Sequence, residues 1–182
     1  DLFKSFDFPI YKKDSNGRNG FNQKDVLYLI TPDRFVNGNP KNDDIPYLKE
    51  RLDRESIWGR HGGDIEGIIQ SLDYISEMGF TAIWINPLLE NDMKKSSYHG
   101  YSTTDYYKID PRFGTNSLYR TLCSIAKEKN IKIVMDMISN HSGSEHWFVK
   151  DPPTKDWINF EGKYTQTSHA HYSVQDPYAS KY

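Results

Sequence analysis

Three short apolar runs divide the chain and predict its strands. They lie at residues 26–30, 80–85 and 131–135, carry mostly β-branched, leucine and aromatic side chains, and are bounded by polar segments. Runs of this length and composition are typical of strands that are covered on both faces. Pro32 follows the first run and cannot extend a central strand, so we expect that strand to end near Thr31.

Two amphipathic segments lie between these runs and predict helices. The first begins after Asp64, which can cap its N-terminus, and ends before Gly79, which stands where a C′ glycine belongs. The second extends from Asn116 to about Asn130. Their apolar positions follow the helical spacing and are, in chain order, Ile65, Ile68, Ile69, Leu72, Ile75 and Met78, then Leu118, Leu122, Ile125 and Ala126. The order strand, helix, strand, helix, strand predicts an α/β fold with three parallel strands joined by right-handed crossovers.

The connection after the first strand is rich in oxygen-bearing side chains. Asn37, Asn39, Asn42 and Asp43 lie within seven positions of one another. Clustered carboxylate and amide oxygens suit a hard cation such as calcium, and the alternative is a series of Asx turns. Asp64 could supply a further oxygen, although capping is the more common use. Residues 47–61 lack a clear period and predict a loop with at most one helical turn.

Polar residues also follow the other two strands. Asp136, Asn140 and His141 come directly after the third strand, and a long tyrosine-rich loop at 86–114 follows the second. In α/β barrels the carboxyl ends of the strands carry the chemistry, and loops of this length are usually functional. A carboxylate and an imidazole there could bind a polar ligand, and the alternative is an Asp and a His that cap a turn.

Both ends of the chain lack the alternation of predicted strands and helices. Residues 1–24 contain the polar stretch KKDSNGRNG, which is typical of a linker. Residues 142–182 are aromatic, His-rich and interrupted by prolines, with no helical period. They predict an inserted subdomain or a long loop.

Composition excludes several classes of function. The net charge of −2 and the scattered Lys and Arg residues argue against binding to a nucleic-acid backbone. No apolar run approaches the length of a membrane span, and the single cysteine, Cys123, cannot form an internal disulfide. The sequence contains no P-loop, GxGxxG, CxxC or HExxH motif that would support a nucleotide, zinc or redox cofactor. The compartment, exported or cytoplasmic, stays open.

Four motifs together resemble the α-amylase family of glycoside hydrolases. In chain order they are YLITPDRFVNGNPKND, HGGDIEGIIQSLDYISEMGFTAIWINP, YHGYSTTDYYKIDPRFG and DMISNH. The chain looks most like the neopullulanase and cyclomaltodextrinase branch, in which the first strand runs into an NG-x-P-x-ND loop. The resemblance covers about residues 24–145.

The resemblance implies a fold and an activity. Residues 25–141 would form the first three β/α units of a (β/α)8 TIM barrel, and residues 142–182 would begin domain B, the insertion after the third strand. Residues 1–24 would be the linker from a missing N-terminal β domain. The implied reaction is hydrolysis, with retention, of α-glucosidic bonds in starch-derived oligosaccharides. The resemblance leaves open which α-glucosidic bond is preferred and whether the parent protein forms a homo-oligomer.

The resemblance also implies roles for individual residues. His141 would donate to a hydroxyl of the sugar at the cleavage site, Asp136 would support that site, and Tyr101 would stack under the same sugar. A structural calcium ion would be held by Asn37, Asn39, Asn42, Asp43, Gly62 (through its carbonyl) and Asp64. The nucleophile and the acid/base of the family follow the fourth and fifth strands, so we expect them beyond Tyr182 and expect residues 1–182 alone to be inactive.

The chain departs from the family pattern at two positions. Ser102 stands where an acid is usual, and Asn39 stands where Asp is frequent, which removes one charge from the implied cation site. In many α-amylases the asparagine that corresponds to Asn140 binds a different calcium ion. That site is often absent in this branch, so we assign no metal to Asn140. Alternatives to the enzyme are a non-catalytic, amylase-like sugar-binding or scaffold protein and an unrelated α/β barrel enzyme.

Overall fold

Three parallel strands form the central sheet of the computed structural model, which describes residues 20–158. β1 (Leu27–Ile30), β2 (Ala82–Ile85) and β5 (Lys132–Met135) lie in the order β1-β2-β5. Leu27 of β1 pairs with Ala82 of β2, and Ala82 pairs with Lys132 of β5. The three predicted strands and their parallel direction are therefore confirmed.

Two short helices, α1 (Ile65–Gln70) and α2 (Leu72–Glu77), replace the single helix predicted after Asp64. Ser71 separates them with φ −97° and ψ 0°, and its hydroxyl donates to the carbonyl of Gly67 at 2.8 Å. Such local side-chain bonding competes with the regular helical pattern. Asp64 caps α1 as predicted, because its carboxylate accepts from the backbone N–H of Gly67 at 2.7 Å.

The predicted inward position of Met78 is wrong, because this side chain is 58% exposed. Each step of three residues turns backward by about 60° around a helix. Two such steps beyond Leu72 place Met78 past the edge of the buried stripe, whose fully buried members are Ile65, Ile68, Leu72 and Ile75. The helix ends there, and Gly79 follows with φ +86°, as its predicted C′ position requires.

The second predicted helix is confirmed as α3 (Asn116–Glu128). Leu122 and Ala126 are fully buried, while Leu118 and Ile125 are partly buried against the same core. The hydroxyl of Thr115 caps its N-terminus by accepting from the N–H of Leu118 at 3.0 Å. The helix thereby covers one face of the sheet.

The long connection between β2 and α3 is more ordered than predicted. It contains β3 (Leu89–Glu90) and β4 (Asp105–Ile109), which pair antiparallel, and a 3-10 helix at Ser97–His99. β3 has two residues, which is too short to produce a recognisable apolar run. A one-turn helix, α4 (Trp147–Lys150), likewise lies in a region where no helical period was evident. The predicted loop at 47–61 contains no helix and has one isolated bridge between Leu52 and Arg60.

The hydrophobic core lies between the sheet and the helices. On the sheet, Ile30, Ile83 and Ile85 are almost fully buried against it. Within residues 20–158 the opposite face is open: Leu29 is 58% exposed and Trp84 is 42% exposed. The apolar runs predict a sheet that is covered on both faces, whereas residues 20–158 cover only one of them. No helix in this range is long and apolar enough to cross a bilayer.

Candidate functional site

The carboxyl ends of β2 and β5 bring together a tyrosine, a tryptophan and an aspartate. Asp136 directly follows β5, and its Oδ2 accepts from the hydroxyl of Tyr101 at 3.0 Å. The same oxygen accepts from the indole Nε1–H of Trp84, which lies on β2, at 3.3 Å. One carboxylate oxygen thereby orients two aromatic rings at the end of the sheet.

His141 lies against the same tyrosine. Its Nε2 is 2.9 Å from the backbone carbonyl of Tyr101, and its Nδ1 is 3.1 Å from the amide nitrogen of Asn140. An amide N–H can only donate and a carbonyl can only accept, so these contacts assign the proton to Nε2. The carbonyl of His141 accepts from the hydroxyl of Tyr106 at 2.6 Å. Tyr101, Asp136 and His141, which the sequence predicts as one site, therefore meet.

His99 also contacts the ring and the backbone of Tyr101. The two rings stack with centroids 5.8 Å apart, and Nδ1 of His99 accepts from the N–H of Tyr101 at 2.9 Å. Burial lowers the pKa of His99, so the imidazole is uncharged at neutral pH and its Nδ1 remains a hydrogen-bond acceptor. Burial, together with the Asp136 carboxylate, raises the pKa of Tyr101, so the phenol remains a donor.

A concave surface of about 740 Å³ opens beside His141. Its walls combine aromatic rings with polar groups, and they include Tyr106, Asn140, His141, Phe148, Val149 and Trp157. Pockets that pair apolar walls with a few polar groups are typical of small-molecule sites. Ring faces can stack on the apolar faces of sugars, while the amide and the imidazole can bond their hydroxyls.

The six predicted cation ligands also come together. The side-chain Nδ2 of Asn37 donates to Oδ1 of Asp43 at 2.7 Å. Asp64 accepts the N–H of Asn39 at 2.9 Å and the side-chain Nδ2 of Asn42 at 3.2 Å. The loop after β1 is thereby wrapped around the cap of α1.

The chemistry of this cluster fits a calcium ion. Oδ1 of Asn37 and Oδ1 of Asn42 are buried and have no hydrogen-bond partner, and buried oxygens of this kind are costly unless something satisfies them. Gly62 has φ +87°, and a Cβ there would lie 2.5 Å from Oδ1 of Asp43, so its backbone can approach the cluster closely. Residues 20–158 contain no group of three or more His, Cys, Asp or Glu side chains placed to hold a metal. The six predicted calcium ligands include only two carboxylates, and their other oxygens are amide or backbone oxygens.

Sequence reasoning missed three residues of the site around Tyr101. In the sequence Trp84 is one residue of an apolar strand. Only the fold brings Asp136 beside it, where the indole N–H can donate a hydrogen bond. Tyr106 and His99 lie in the tyrosine-rich loop that is predicted to be functional, but nothing in the sequence selects them. The signal that was available is their position in the same connection as Tyr101.

Known proteins match the chain over most of its length. The family described as alpha amylase, catalytic domain, matches residues 29–178. A beta/alpha-amylase of Paenibacillus polymyxa is 42% identical over 148 residues, which cover 78% of this chain and 12% of that protein. Neopullulanase 2 of Thermoactinomyces vulgaris is 34% identical over 166 residues, which cover 84% of this chain and 27% of that protein.

A solved structure agrees with these relatives. The α-amylase of Anoxybacillus superposes with a TM-score of 0.67 at 44% identity and covers 74% of this chain and 28% of that structure. The chain thus spans about an eighth to about a quarter of the curated relatives named above. The resemblance stated from the motifs is confirmed: the chain belongs to the α-amylase family, and residues 29–178 are part of its catalytic domain, a mixed α/β domain whose solved neighbours are TIM-barrel glycosidases.

Proposed function

We propose that the chain is the amino-terminal part of the catalytic domain of a retaining α-glucan hydrolase of the neopullulanase and cyclomaltodextrinase type. In this proposal residues 25–141 supply the first three β/α units of a (β/α)8 barrel, residues 142–182 begin domain B, and residues 1–24 are a linker. Of the last two segments, residues 159–182 and 1–19 lie outside the residues that the structure describes. The observation that carries the proposal is the meeting of Tyr101, Asp136 and His141 at the carboxyl end of the sheet. The open apolar face at Leu29 and Trp84 supports a barrel interior that the remaining strands close.

Each residue of the site has a physical role in this proposal. The ring of Tyr101 stacks under one glucose unit, and Asp136 fixes the angle of that ring by accepting a hydrogen bond from its hydroxyl group. His141 carries its proton on Nε2, so a sugar hydroxyl replaces the Tyr101 carbonyl as the acceptor. Retaining hydrolysis also requires a nucleophile and an acid/base, and Tyr101, Asp136 and His141 take neither role.

The cluster after β1 is proposed as a structural calcium site. Asn37, Asn39, Asn42, Asp43, Asp64 and the carbonyl of Gly62 would hold the ion. Support comes from the two buried amide oxygens without a partner. The bound ion would fix the loop that joins β1 to α1; it would take no part in bond cleavage.

The test is an assay of the full-length protein with maltotriose and cyclodextrin. We expect turnover, and we expect His141→Ala to lower kcat/KM by at least about tenfold, because each 1.36 kcal/mol of lost transition-state binding is a factor of about ten. Tyr107→Ala, which removes an 82% exposed tyrosine of β4, is the matched control and should leave kcat/KM unchanged. Residues 1–182 alone should show no turnover.

Two results would contradict the proposal. Unchanged kcat/KM in His141→Ala would exclude the role given to His141. Retained glucan binding without any turnover by the wild-type protein would favour the non-catalytic sugar-binding alternative.

A further inference from the structure

We propose that Glu50 and Arg60 are positioning residues that hold the Ser96–Ser97 turn and, through it, the ring of Tyr101. The inference deepens the sugar-binding role given to Tyr101 above and rests on that proposed function. Glu50 and Arg60 both lie on the connection from β1 to α1, whereas Tyr101 lies on the connection from β2 to α3. Two separate connections are thereby locked together beside the site.

Glu50 holds the turn through both carboxylate oxygens. Oε1 accepts from the N–H of Ser96 at 2.7 Å, and Oε2 accepts from the N–H of Ser97 at 2.5 Å. Ser96 has φ +56°, a left-handed conformation that non-glycine residues rarely adopt. Charge-assisted hydrogen bonds are short and strong, so the carboxylate can maintain a backbone conformation that serine would otherwise leave.

Arg60 holds the same turn from the protein interior. This side chain is 1% exposed, its Nη1 donates to the hydroxyl of Ser97 at 3.1 Å, and its guanidinium lies 4.7 Å from the ring centroid of Phe113. Its Nε is 3.6 Å from Oδ1 of the buried Asp33. A buried cation placed between an aromatic ring and a carboxylate has little freedom to move, so Ser97 meets a fixed donor.

Few free torsions separate this turn from Tyr101. The 3-10 helix Ser97–His99 follows directly, and the N–H of Gly100 donates to the carbonyl of Ser97 at 3.2 Å. His99 then accepts from the N–H of Tyr101 and stacks on its ring. A displacement of Ser97 therefore moves His99 and the tyrosine ring with it.

The test variant is Glu50→Gln in the full-length protein. Glutamine keeps the size of the side chain but offers one carbonyl oxygen and turns an NH2 group toward one of the two backbone N–H groups. Glu55→Gln is the matched control, because Glu55 is an exposed carboxylate of the same connection. We expect the amides of residues 96–101 to exchange faster with deuterium in Glu50→Gln than in Glu55→Gln.

The kinetic readout separates positioning from general structural damage. We expect Glu50→Gln to lower kcat/KM for maltotriose roughly tenfold, since small misplacements of binding groups cost rate. In a Tyr101→Ala background the same change should have no further effect, because the ring through which it acts is gone. A merely structural role would lower kcat/KM by the same factor in both backgrounds.

Unchanged amide exchange in Glu50→Gln, or an equal loss of kcat/KM in both backgrounds, overturns the proposal. If Glu50→Gln does not fold, Ser97→Ala replaces it with the same readouts, because it removes the hydroxyl that Arg60 bonds. If the wild-type protein turns over no α-glucan, the proposed function fails, while the exchange comparison still decides whether Glu50 holds the turn.

Discussion

The hydroxyl of Tyr101 donates to Oδ2 of Asp136 at 3.0 Å, and this bond joins the connection after β2 to the end of β5. The indole of Trp84 donates to the same oxygen. The bond fixes the angle of the Tyr101 ring, and 36% of the residue's surface remains exposed to a ligand. Removing the hydroxyl therefore separates orientation of the ring from stacking on it.

We predict that Tyr101→Phe weakens maltotriose binding to the full-length protein about two- to twelvefold, because one hydrogen bond contributes about 0.5–1.5 kcal/mol. Tyr101→Ala should weaken it further, because the stacking surface is lost as well. Isothermal titration calorimetry measures both values in full-length protein whose nucleophile has been replaced, so that maltotriose is bound but not cleaved, with Tyr107→Phe as the exposed control. Equal losses in the Phe and Ala variants would mean that the ring face contributes nothing.

A second prediction compares Gly100 with Gly79, which share a positive φ of +81° and +86°. A Cβ at Gly100 would lie 2.1 Å from the carbonyl oxygen of Pro87, whereas one at Gly79 would meet nothing within 4 Å. We expect Gly79→Ala to reduce the free energy of unfolding by about 1–2 kcal/mol, the cost of the left-handed conformation alone. Gly100→Ala should cost more, because Pro87 must also move, and it should weaken maltotriose binding through the adjacent Tyr101. Urea denaturation measures the stabilities, and equal values would exclude the steric conflict.

The parts of the site that follow strand ends could be predicted from the sequence. Asp136 and His141 follow a recognisable apolar run, and parallel strands bring their carboxyl ends to one edge of the sheet. The cap at Asp64 was likewise predictable, because its residue type, its position and the following apolar period agree.

The contacts between distant connections could not be predicted. Arg60 and Ser97 are 37 residues apart, and neither lies on a periodic element, so no local pattern links them. The pairing of β3 with β4 also spans a long segment, and β3 is too short to produce a pattern of its own. Tertiary contacts, rather than propensity, decide both features.

A third prediction concerns the pH dependence of stability through His99. Burial lowers the pKa of this imidazole below its ordinary value of 6.5, against a smaller opposing effect of the Glu50 carboxylate. As the pH falls below 6.5, the unfolded chain takes up this proton before the folded protein does. The stability that His99 contributes is therefore complete above pH 6.5 and is lost as the pH falls further.

His99→Gln should give a shallower decline of Tm as the pH falls below 6.5, since the titrating group is gone. Part of the slope will remain, because burial also lowers the pKa of His146. Differential scanning calorimetry across this range measures the slope for both proteins. An unchanged slope in His99→Gln would show that protonation of His99 does not limit stability in acid.

The last prediction tests the cation cluster by adding a charge to it. Asn39→Asp places a third carboxylate beside Asp43 and Asp64. Without calcium the added repulsion should lower Tm, whereas with saturating calcium the variant should bind the ion more tightly and be more stable than the wild type. A calcium concentration of 100 Kd stabilises a protein by about 2.7 kcal/mol, so the two effects are separable by melting with calcium and with EDTA. Asn22→Asp is the control, because Asn22 precedes β1 and lies at the opposite end of that strand. A Tm that neither calcium nor EDTA moves would exclude the site, and calcium binding that Asn39→Asp leaves unchanged would exclude residue 39 as a ligand.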